Sequence, residues 1–158
     1  MAFRIVATLL AEGVSLDQYT GRLTAFNMLE AVLAPSFPAI LGKLVVVNVY
    51  EIDDGREPCW ERVTVLDAEG MALAEVKAEL TGEGEAHRSM VLFQGIKLAK
   101  PGICNVVVEQ ARRSDGPWQV VARRRLHAQM RPHPLSRPDE KNPEAGKITE
   151  PAATSSRS

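Results

Sequence analysis

The sequence predicts an all-β protein, an antiparallel β-sandwich of about eight strands over residues 1–130 followed by a disordered Pro-rich tail over 131–158. Three observations carry this. Short apolar runs recur at roughly the 8–12-residue spacing of sandwich strands, and turn clusters such as Asp53-Asp54-Gly55 and Ser114-Asp115-Gly116-Pro117 separate them. Residues 44–50 hold Val45, Val46, Val47 and Val49, a β-branched run apolar on both faces that belongs in the middle of a sheet. From Arg131 onward Pro132, Pro134, Pro138, Pro143 and Pro151 punctuate a segment whose large aliphatics are Leu135 and Ile148. Such a segment cannot bury enough apolar surface to offset its ordering entropy.

The first strand is expected over residues 3–11, with Ile5, Val6, Leu9 and Leu10, and Glu12-Gly13 ends it. Ser15 and Gln18 have capping-box spacing, but no amphipathic run follows, so a loop is expected. Residues 20–34 form a second apolar run. It reads as a strand, although Met28, Leu29, Val32 and Leu33 also sit at helical spacing. Pro35 and Pro38 push Ala34 and Phe37 out of the α region. The corner over 34–38 is therefore extended and presents Phe37 as a plug. The stretch 19–50 thus reads as two strands joined by a rigid corner.

Residues 60–66 are the next strand, with Glu61, Val63 and Val65 on one face and Trp60, Arg62, Thr64 and Leu66 on the other. Residues 71–80 have helix-friendly composition. The short turn 67–70 and the alternation of Glu75, Lys77 and Glu79 with Val76, Ala78 and Leu80 favour a hairpin partner instead. Strands follow over 87–94, with 95–100 a connector, then over 103–110 and 118–127. In the last, Trp118, Val120, Ala122 and Leu126 are expected inward and Arg123, Arg125 and His127 outward.

Composition bounds function. Net charge is −1, so no global field steers nucleic acid or an anionic membrane. The apolar run near the N-terminus leads into Glu12 and Asp17 rather than a cleavage site, and no stretch approaches the ~20 apolar residues of a membrane span. A cytoplasmic protein without membrane contact is expected. Cys59 and Cys104 are too few for a disulfide framework. Trp60 directly follows Cys59, which breaks the Cys–Trp–Cys spacing of antibody domains. Two buried free thiols are expected.

Chemistry-bearing motifs are absent. His87, His127 and His133 are scattered among the cysteines without metal-ligand spacing. No Gly-x-Ser-x-Gly elbow or phosphate loop occurs. Neither cofactor nor metal nor catalytic residue is expected. Glu51, Asp53, Asp54 and Glu57 crowd one loop and read as a solvated turn; a calcium site there needs Asp67 or Asp115 from a neighbouring loop. Arg112, Arg113, Arg123 and Arg125, with Arg124, lie on two strands expected to pair, where facing arginines would form a ladder favouring an anion. The simplest reading of that ladder is an edge defended by charge.

Three features also occur together: Gly21-Arg22-Leu23 leading to Phe26, the corner Ala34-Pro35-Ser36-Phe37-Pro38, and Leu98-Ala99-Lys100-Pro101-Gly102 before a final hairpin. In these the chain resembles an uncharacterised bacterial family of small β-sandwich proteins, over residues 3–127. Ile103 stands where that family commonly has an aromatic. The resemblance implies an immunoglobulin-like sandwich and no activity or site. The expected function is therefore a non-enzymatic interaction module whose partner is another protein. The alternative is an accessory protein that holds an anionic partner or nucleic acid on the arginine hairpin. Nucleic acid is the less expected, since Trp118 is the one aromatic near the arginines.

Overall fold

A computed structural model describes residues 3–53, 58–82 and 84–131. The expected tail, with Pro132 to Ser158, lies outside them. The described residues hold nine strands: β1 (Phe3–Leu16), β2 (Leu23–Met28), β3 (Ala31–Ala34), β4 (Ala39–Ile52), β5 (Cys59–Leu66), β6 (Ala72–Leu80), β7 (Ala86–Leu98), β8 (Gly102–Ala111) and β9 (Gln119–Met130). They form two packed sheets. Sheet I has the order β2-β1-β4-β7 and sheet II the order β3-β9-β8-β5-β6. Every pair is antiparallel except β3 with β9.

The valine run is central, as expected: β4 lies between β1 and β7. Its inward row Leu44 and Val46 meets Val63 and Val65 of β5, Val106 and Val108 of β8 and Leu126 of β9 in one core. At ~25 cal/mol per Å² of apolar area, the burial of such aliphatics is the main stabilising term. A smaller cluster of Phe3, Tyr50, Cys59 and Leu80 closes one end.

Three expectations need correction. The run 20–34 is not one strand, so the strands number nine rather than about eight. Asn27 takes a positive φ of 53°, and Leu29 and Glu30 cross from one sheet to the other. The Leu29 amide bonds back to Leu10 in sheet I (2.8 Å), and the Glu30 carbonyl accepts from His127 in sheet II (2.9 Å). Strand β1 runs past Gly13 to Leu16, because Gly13 lets the Phe26 ring lie flat on the strand. Strand β7 runs through Gly95, whose φ of 66° absorbs an irregularity without ending the pairing.

The proline corner does pass the chain between sheets, from β3 to β4, and Phe37 packs against the core. The β5–β6 hairpin forms as expected.

Candidate binding cleft where the two sheets meet

Sheet edges position this site. On one side β9 pairs with β8 along most of its length, but on the other β3 covers only His127 to Met130. In sheet I, β2 covers β1 only from Ala11 onward. The uncovered halves of β1 and β9 therefore lie side by side along one flank of the sandwich. A single hydrogen bond stitches them, from Arg124 Nε to the Thr8 carbonyl at 2.8 Å.

Between these edges lies a cleft of about 510 Å³. Thr8, Leu9 and Leu10 form one wall, Met28, Leu29 and Glu30 the end, and Arg123, Arg124 and Arg125 the other wall. Two smaller hollows continue it along β1 and β9 toward Gln119. All three arginines are exposed, and among the described residues none is in an ion pair. Arg124 turns between the sheets and Arg123 and Arg125 flank it on the other face of β9; with Glu30 the one carboxylate lining the cleft, these guanidiniums leave it basic and able to take an anion.

The expected arginine ladder is not formed. Arg123 and Arg125 stand opposite Val107 and Asn105 of β8, whereas Arg112 and Arg113 lie past the end of β8 in the turn. From Arg112 to Val107, the level of Arg123, is five residues of strand, or roughly 17 Å. Arg113 is instead closed onto Asp115 by two bonds of 3.0 and 2.6 Å, which hold the Asp115 carboxyl below the usual range. The cleft thus unites Arg123 and Arg125 with Arg124 and leaves Arg112 and Arg113 out.

Trp118 and Val120 are also not inward. Val108 pairs with Ala122 but the next residue, Glu109, pairs with Val120, so Val121 is the extra residue of a bulge. The bulge reverses the alternation, and Trp118 lands on the outer face of sheet II. There Arg62 stacks 4.6 Å and Lys77 5.7 Å from its ring.

A second constellation lies between the sheets and was not foreseen. Glu61, on β5, is 1% exposed. Its carboxylate accepts from Asn48 Nδ2 at 2.7 Å, from the Tyr50 hydroxyl and from Ser89 Oγ, while Thr8 Oγ1 donates to Asn48 Oδ1 at 2.8 Å. β1, β4 and β7 of sheet I are thus linked to one acid of sheet II. Burial, then the Glu61 charge, pushes the Tyr50 hydroxyl well above the ordinary tyrosine range. The Gln110 side chain lies beside that hydroxyl, yet its Nε2 makes no hydrogen bond of proper geometry. The sequence did hold a signal: Glu61 shares its strand face with Val63 and Val65, an odd place for a carboxylate unless donors meet it.

Both cysteines are buried free thiols, as expected. Burial raises the Cys59 thiol to about 11 and moves Cys104 upward too, so both are protonated at neutral pH. In the acidic loop Glu51 pairs with Arg4 and Asp53 borders the end hollow, while Asp54 and Glu57 lie outside the described residues. No protein-family model matches the chain, and no curated protein matches it.

Proposed function

We propose that the protein is a non-enzymatic interaction module that takes an extended acidic segment of another protein along the β9 edge. The observation that carries this is the wall Arg123–Arg124–Arg125 beside a strand edge open on one side. An added strand would satisfy the free backbone groups of β9, and its acidic side chains would meet the guanidiniums. The neutral thiols and the sealed Glu61 favour binding over nucleophilic chemistry. Nucleic acid is the weaker alternative, because Trp118 already carries Arg62 and Lys77 and offers no stacking platform.

We also read the sandwich as immunoglobulin-like and the chain as a relative of the uncharacterised bacterial family it resembles. Sheet orders β1-β4-β7 and β9-β8-β5-β6 follow the A-B-E and G-F-C-C′ arrangement of that fold, which supports the first point. We place the protein in the cytoplasm, on the reduced state of both thiols.

The test is NMR titration of the full chain with an octapeptide alternating Glu and Val. Amides over 119–126 should shift, and affinity should fall with salt. Arg123→Glu with Arg125→Glu should abolish the shifts. A peptide that leaves the β9 amides unmoved at millimolar concentration sinks the proposal; a duplex DNA of equal charge that binds more tightly selects the alternative.

A further inference from the structure

We propose that the hollow between the β1–β2 hairpin and β7 binds a small apolar carboxylate, its chain against Leu16, Leu23 and Met90 and its head group on Arg88. Strand β1 pairs with β4 only as far as Ala11, opposite Val45, whereas its pairing with β2 continues to Leu16. Beyond Ala11 the hairpin is free to leave sheet I, and its tip reaches β7. There Arg88 Nη1 donates to the Gly21 carbonyl at 3.0 Å. The turn it holds is firm: the Asp17 carboxylate accepts from the Tyr19 and Thr20 amides at 2.9 and 3.3 Å, and the Asp17 carbonyl accepts from the Gly21 amide at 2.8 Å.

On the outer side of β4, Val45 and Val47 are buried. The cover stops short of β7, since Leu16 and Met90 are 51% and 47% exposed although they border the same space. That space is a hollow of about 340 Å³. Leu16 and Leu23, the last pair of the hairpin, form one wall, and Ala86, Arg88 and Met90 of β7 form the other. His87 also borders it, with its ring packed against Phe3 and Tyr50. Apolar walls that face each other without touching forgo dispersion contacts, so a ligand that fills the gap gains both packing and burial.

Size and charge choose the ligand. At ~30 Å³ for each water-sized group, the hollow takes about eleven of them, which matches a carboxylate on a chain of roughly eight carbons. Small-molecule sites begin near this volume. No carboxylate lines the hollow, and Glu51, which faces Ala86 across the β4–β7 pair, is held by Arg4. Among the described residues Arg88 is in no ion pair. Its bond to Gly21 uses Nη1 and leaves Nε and Nη2, whose spacing grips a carboxylate by two parallel hydrogen bonds. One cation at the rim of apolar walls fits an apolar anion. A sugar would bury hydroxyls there without partners.

Amide NMR titration of the full chain with sodium octanoate tests it. Amides of Leu16, Leu23 and residues 86–90 should shift and saturate with a dissociation constant below about 1 mM. 1-Octanol should bind at least about tenfold more weakly, because it lacks the charge-assisted pair. Ala86 is exposed, so Ala86→Phe should fold; it fills the hollow, leaves the Gly21 tether alone and should weaken octanoate binding at least about tenfold. Arg88→Gln should weaken it similarly, and if that change displaces the hairpin amides 13–26 before ligand is added, Ala86→Phe decides. Octanoate that leaves residues 86–90 unmoved at about 5 mM overturns the proposal. So does octanol that binds as tightly, an Ala86→Phe variant that binds unchanged, or saturation that moves residues 123–125 in place of 86–90. Arg123→Glu with Arg125→Glu should leave octanoate binding intact, so the hollow and the cleft stand or fall separately.

Discussion

Glu61 is the residue on which the sandwich interior turns. A carboxylate taken out of water is costly unless its lone pairs are met. Here Asn48, Tyr50 and Ser89 meet them. Glu61→Ala removes the acceptor and strands two buried donors, Asn48 and Tyr50, and the half-buried Ser89. It should lower the unfolding free energy by about 3–5 kcal/mol, and Glu61→Gln by about 1–3. Urea unfolding checks this, and a loss under ~1 kcal/mol for the alanine variant would mean the network holds nothing together.

Cys59 gives a pH dependence. Its thiol ionises near 9 when unfolded and at about 11 when folded, so between these values the unfolded chain has lost a proton that the folded chain keeps. Stability from this group is full below pH 9 and falls as pH rises toward 11. Tyr50 pushes in the same direction. Urea midpoints should decline over that window, and more shallowly in Cys59→Ala relative to its own value at pH 8. For the same reason both thiols should resist an aromatic disulfide reagent at pH 7.5 until the chain unfolds; prompt labelling of either in the native protein would contradict their burial.

At the scale of elements, the flank where β1 and β9 adjoin has few ties. Arg124 spans it through Thr8, so Arg124→Ala should cost about 1 kcal/mol and speed hydrogen exchange over 3–9 and 119–126 before other strands. Uniform exchange across both sheets would argue against a weak seam. Strand β7 depends on Gly95, which sits at φ +66° in open space. Gly95→Ala meets no clash, so its cost is conformational alone, about 1 kcal/mol, read from the urea midpoint. These elements also show what escaped the reading of the sequence. Gly13 and Gly95 looked like strand ends, yet each lies within a longer strand. Whether a glycine stops pairing or bends it depends on the neighbouring strand. The bulge at Val121 likewise has no local mark, and it alone turned Trp118 from the core to the outer face.

At the scale of the molecule, neither sheet is continuous in the chain. The path enters sheet I with β1 and β2, crosses to β3, returns with β4, crosses to β5 and β6, returns with β7 and ends in β8 and β9. Each sheet therefore needs the other's connections, and the protein should unfold in one transition. Far- and near-ultraviolet circular dichroism should give coincident urea curves, and refolding should be in the millisecond-to-second range of non-local β-topologies. Two resolved transitions would show that the sheets are independent.

Local chemistry settled most of the elements. Alternation, β-branched runs and Gly, Pro and Asp turns act over a few residues, so the central valine strand, the 59–80 hairpin and the proline corner were readable before any coordinates. Pairing decided the rest, since it joins residues far apart in the chain. It put Arg123, Arg124 and Arg125 in a cleft with Thr8 and left Arg112 and Arg113 elsewhere. It brought Asn48, Tyr50 and Ser89 onto Glu61. It also buried Val45 and Val47 on the second face of the valine strand, where the turn between β1 and β2 reaches Arg88 of β7 through the Gly21 carbonyl; the apolar character of that face was legible from the outset. A sequence can show that a face is apolar, but only the packing of the sheets shows whether the protein's own chain covers it.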